Sequence, residues 1–63
     1  MLVRYFNEPD GKFIEQGVIK EPYKKDEPVI LTKGRYIVVD IFLPVYDSRL
    51  AVLFHPIIVK EQK

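Results

Sequence analysis

"GRYIVVDIFLPVYDSRLAVLFHPIIVK", residues 34–60, decides how this chain folds. Seventeen of its 27 positions are apolar or aromatic, although 30% of the whole chain is charged. Strand side chains alternate with a period of two. Arg35 to Leu43 therefore reads as a strand with Ile37, Val39, Ile41 and Leu43 on one face. Tyr36, Val38, Asp40 and Phe42 share the other. The first set is the expected core face, and the second is mixed. "PVYDSR", residues 44–49, turns the chain. Leu50 to Phe54 is the next strand, with Leu50, Val52 and Phe54 on one side and Ala51, Leu53 and His55 on the other. Pro56 interrupts, and Ile57-Ile58-Val59 continues as a short sixth strand.

The same rules organise the amino-terminal half. Leu2 to Phe6 is a first strand. "NEPDGK" follows, where Pro9 presets φ, Asp10 can bond its own backbone and Gly11 accepts positive φ. Phe13 to Lys20 returns as a second strand, and Gly17 within it predicts a bulge or sharp bend. "KEPYKKDE", residues 20–27, is too charged to bury and predicts a surface loop. "PVILT" is a third strand, since Pro28 lacks an N–H and fits a strand start. Lys33-Gly34 is a tight turn into the fourth. Prolines 9, 22, 28, 44 and 56 leave few windows long enough for a helix. The fold class expected is all-β: five or six short antiparallel strands forming a small barrel or rolled sheet, one domain over 1–63 with a polar tail at 60–63.

"GVIKEPYKKDEPVILTKGRYIVVDI", residues 17–41, resembles a pattern of small SH3-like β-barrels. A strand leads to a polar loop, then a D-x-V-x-L type strand, a tight turn and a Y-x-V-x-x-I strand. Asp26 to Leu31 and Tyr36 to Ile41 carry the likeness. It implies a fold and no function. A phage or bacterial accessory protein is the expected kind of source.

The chemistry is bounded mainly by what the sequence lacks. With no cysteine, thiolate zinc sites and disulfides are excluded. One histidine makes a structural metal site unexpected. The expectation is no metal, no cofactor and no catalytic residue. His55 would need a nucleophile or an orienting carboxylate within reach, and Asp40 and Asp47 are the candidates without a fixed distance. Asp40 is expected on the solvent face or paired with Arg4, Arg35 or Arg49. Ser48 is the only serine and sits in a turn. The glycines are too far apart for a phosphate loop. A net charge of +1 is no nucleic-acid footprint. No segment approaches the roughly 20 apolar residues of a membrane helix. The chain starts without a secretory signal pattern, and a cytoplasmic location is expected.

Surplus apolar surface then carries the functional expectation. A domain of this size buries only about 60% of its unfolded surface, and small scaffolds usually need a staple or a partner. The carboxy-terminal strands are apolar on both faces, which an antiparallel sheet with one wet face is not. A second copy of the chain is the economical cover. The expected function is a non-enzymatic protein–protein interaction module that self-associates, as a dimer or higher homo-oligomer, through Phe42, Ala51, Leu53 and Ile58. The alternative is a nucleic-acid-binding barrel. It would use Arg4, Lys20, Lys24, Lys25, Lys33 and Arg35 with the interleaved Tyr5, Tyr23 and Tyr36, a basic surface with stacking platforms.

Overall fold

The computed structural model describes residues 1–62. Among the described residues there are six strands and no helix: β1 (Leu2–Asn7), β2 (Phe13–Val18), β3 (Pro28–Leu31), β4 (Gly34–Ile41), β5 (Val45–Asp47) and β6 (Val52–Glu61). They form one curled mixed sheet, a half-barrel, in the order β2-β1-β6-β4-β3, with β5 added to β6. The all-β class is as the sequence predicts. One pairing departs from the antiparallel expectation: β1 runs parallel to β6, with Tyr5 beside Ile57. Strand β6 is therefore central, held by β1 on one side and by β4 and β5 on the other.

The turn after β1 forms where its residues direct it. Gly11 has φ +70°, its N–H donates to the Asn7 carbonyl, and Asp10 Oδ1 accepts from Lys12 N. The β3–β4 hairpin turns at Thr32 and Lys33, one residue before the expected Lys33-Gly34, because Gly34, at φ +147°, already opens β4 opposite Leu31. The charged segment after β2 is an exposed loop whose end is pinned to β4. Asp26 N donates to the Val38 carbonyl, and Val38 N to the Glu27 carbonyl. Gly17 marks no bulge. It lies opposite Val3, and the Tyr5 ring passes across it, 3.6 Å from where a Cβ would stand. The irregular register in this hairpin falls instead between Tyr5 and Phe6.

The core lies on the concave face: Val3, Tyr5, Val29, Leu31, Tyr36, Val38, Ile57 and Val59. This corrects the face assigned to β4. Tyr36 and Val38 are buried, whereas Ile37 and Val39 are only half-buried and Leu43 is exposed. For Ile37 and Val39 the cause is a register shift between Val38 and Asp40, whereas Leu43 lies past the end of β4. The extra residue, Val39, reverses the alternation. Val38 then faces in before the bulge, while Ile41 packs against the core beyond it. Asp40 follows the bulge, and its Oδ1 accepts from Ile41 N at 2.9 Å. Among the described residues it pairs with no arginine.

The carboxy-terminal hairpin also differs from expectation. Val45 to Asp47 is strand, the turn falls at residues 48–51, and β6 passes through Pro56 to Glu61. Pro56 is tolerated because of where its missing N–H falls. Its carbonyl accepts from Phe42 N, one residue beyond the end of β4. Only that last reciprocal bond is absent, and no ladder bond within β4 is lost. The expected polar tail is strand through Glu61, which lies opposite Tyr36, and Gln62 N donates to the Arg35 carbonyl. Lys63 lies outside the described residues.

Candidate functional site: the apolar face of the carboxy-terminal hairpin

Strand β5 and the first residues of β6 extend the β4–β6 ladder beyond the core. Tyr46 lies opposite Leu53, and Val45 opposite Phe54. By alternation Leu53 shares its side with His55 and Ile57, the concave side. Tyr46 and Leu53 form an exposed cross-strand pair, 59% and 61% accessible. Leu43, at 85%, stands in the link between β4 and β5. In water such a pair gains little, since its apolar area stays hydrated.

The convex side of the same hairpin is tied down. Asp47 Oδ2 accepts from Arg4 Nη1 at 2.9 Å, and their side chains are only 8% and 14% exposed. The Arg4 guanidinium lies 4.2 Å from the centre of the Phe54 ring, and its Nε donates to Gln16 Oε1. Hydrogen bonding by Arg4, backed by the Arg49 and Leu50 backbone N–H groups, holds the Asp47 carboxyl below its usual range, against the opposing effect of burial. The latch joins β1 to β5 and fixes the hairpin, leaving its other face bare.

The residues expected from sequence to meet a second copy are divided by this arrangement. Phe42, Ala51 and Leu53 are exposed. Ile58 is half-buried on the convex side, opposite Phe6 and Asp40, and so shares no face with Leu53. Ala51 sits in the turn at φ +53°. Leu43 and Tyr46 escaped the sequence reading. Unbroken alternation along the strand places Leu43 on the core face, although it lies past the end of β4, and the expected turn at residues 44–49 takes in Tyr46. The signal available was the continuous apolar run around Pro44.

The basic-aromatic set is also divided. Tyr5 is 3% exposed and Tyr36 is buried, so neither offers a ring for stacking. Tyr23 is half-buried, its hydroxyl 2.8 Å from that of Tyr5. Desolvation, followed by the Tyr23 hydrogen bond, pushes the Tyr5 phenol well above its usual range. Arg4 is engaged by Asp47. Lys20, Lys24, Lys25, Lys33 and Arg35 remain exposed, spread over the 20–27 loop, the β3–β4 turn and β4. His55 borders a cavity on the concave side, while Asp40 pairs with Ile58 on the convex side, so the sheet separates them. Among the described residues no group of three or more His, Cys, Asp or Glu could hold a metal ion. Nor is there, among the described residues, a helix long and apolar enough to cross a membrane.

No family model, curated protein or solved structure matches the chain.

Proposed function

We propose that the protein is a non-enzymatic interaction module that self-associates through the concave face of its carboxy-terminal hairpin and offers the 20–27 loop to a protein partner. The observation that carries this reading is the exposed Tyr46–Leu53 pair, with the exposed Leu43 in the link that leads into it, on a hairpin already fixed by the Arg4–Asp47 latch. A flexible apolar loop could collapse onto its own chain, whereas a strand pair locked on one side cannot turn its other side inward. Burying about 800 Å² per partner, the standard interface, gives roughly 20 kcal/mol per partner at ~25 cal/mol per Å² if all of it is apolar. Association costs of ~4–15 kcal/mol leave a favourable remainder.

Light scattering on a size-exclusion column tests the reading. The wild type elutes above the 7.4 kDa of one chain, and Leu53→Lys moves the mass toward one chain. A mass of one chain at every loading ends the proposal.

A further inference from the structure

The half-barrel does not close where β4 gives way to β5. A cavity of about 300 Å³ opens there on the concave side. Val3, Ile19, Ile41 and Ile57 wall it, and Phe42 and Leu43 stand at its mouth. No Asp, Glu, Lys or Arg lines it. Met1, Tyr23 and His55 border it as well, so its lining is mostly apolar with a few polar groups at hand.

A knob and a hole thus lie side by side on one face. Leu43 projects at 85% exposure beside a cavity of its own chain. In a two-fold interface, residue i of one copy meets residue j of the other and the reverse. A neighbouring knob and hole can therefore be exchanged between two copies. The sizes agree. At ~30 Å³ per water-sized group, the four carbons of a leucine side chain need roughly 120 Å³. The cavity, at about 300 Å³, exceeds that need.

Surface area points to the same occupant. A compact monomer of this mass exposes about 4,200 Å² by the usual scaling, whereas this chain exposes 4795 Å². The excess, on the order of 600 Å², approaches the ~800 Å² that one partner gives up in a standard interface. The exposed Tyr46–Leu53 pair continues the same face outward from the cavity.

We infer that two copies dock about a two-fold axis, with Leu43 of each seated in the cavity of the other. This rests on the self-association reading and specifies its geometry. Two measurements on the full chain test it. Sedimentation velocity compares the wild type with Leu43→Lys, Leu53→Lys and the control Ile30→Lys, whose side chain is exposed on β3. Leu43→Lys weakens the dimer by at least about tenfold, and Ile30→Lys leaves it unchanged. In a mixed sample of labelled and unlabelled wild type, isotope-filtered NOE spectra show Leu43 methyl contacts to the Ile19 and Ile57 methyls of the other copy. This second readout needs no variant to fold. If the chain dimerises and Leu53→Lys breaks the dimer, but Leu43→Lys does not and the filtered contacts are absent, insertion is overturned while self-association stands. A wild type that stays monomeric at every concentration overturns both.

Discussion

Ile57 and Ile58 are neighbours of the same type on one strand, and their truncations should differ by about threefold in cost. Ile57 is fully buried on the concave face beside Tyr5 and Ile41. Ile57→Ala removes three carbons, worth about 2.4 kcal/mol at ~0.8 per buried carbon. A cavity term adds to that, and buried isoleucine truncations cost ~2–5 kcal/mol in all. Because Ile57 already borders a cavity, some of its contacts are missing, which puts the expected loss near 3 kcal/mol. Ile58 is half-buried on the convex face. It loses about half the transfer term and leaves a space that water can fill, for a cost of ~1 kcal/mol. The whole stability of 63 residues is on the order of 3–9 kcal/mol. Urea titrations followed by circular dichroism at high dilution measure both. With m about 1 kcal/mol per M, the midpoint falls by ~3 M for Ile57→Ala, or the chain is unfolded without urea, and by ~1 M for Ile58→Ala. Equal losses would mean that β6 is sheltered alike on both faces, and the concave-core assignment would fail.

Further consequences follow from the two perturbed groups and the turn. The Asp47 carboxyl is held below the unfolded value near 3.9. Its stabilising contribution is complete above that pH and disappears as pH falls through the folded value, so Asp47→Asn flattens the acid limb of an unfolding-midpoint profile. The Tyr5 phenol is raised above the unfolded value near 10. Its contribution is complete below that pH and declines as pH rises beyond it; Tyr5→Phe removes this alkaline loss, read as the pH dependence of the melting temperature. Ala51 occupies the left-handed region, which costs a residue with a Cβ roughly 1 kcal/mol. Ala51→Gly therefore raises the urea midpoint, less the chain entropy that glycine adds to the unfolded state.

The sequence showed its turns more plainly than its faces. The Pro9-Asp10-Gly11 turn and the charged loop were legible because each rests on local backbone chemistry, and the β3–β4 turn was legible to within one residue. The sides of β4 were not, because one extra residue at Val39 reverses the alternation, and nothing in "YIVVDIF" marks where it falls. The parallel partnership of β1 and β6 was equally hidden, since it joins strands about fifty residues apart that share no turn. Surplus apolar surface at the carboxy-terminal end was visible as composition. Its location is only half visible: Leu53 and Phe42 are exposed as expected, but Ile58 faces the other side and Leu43, expected in the core by alternation, is exposed. The Arg4–Asp47 latch crosses 43 residues of sequence and left no local trace.

The central claim is that the bare face of the carboxy-terminal hairpin is sheltered by a second copy. The urea midpoint of the wild type, measured over a hundredfold range of protein concentration, tests it most directly. If folding and association are linked, dilution by that factor removes about 2.7 kcal/mol per dimer, and with m about 2 kcal/mol per M for the two chains together the midpoint falls by more than ~1 M. Unfolding curves that superimpose across the whole range would contradict the account.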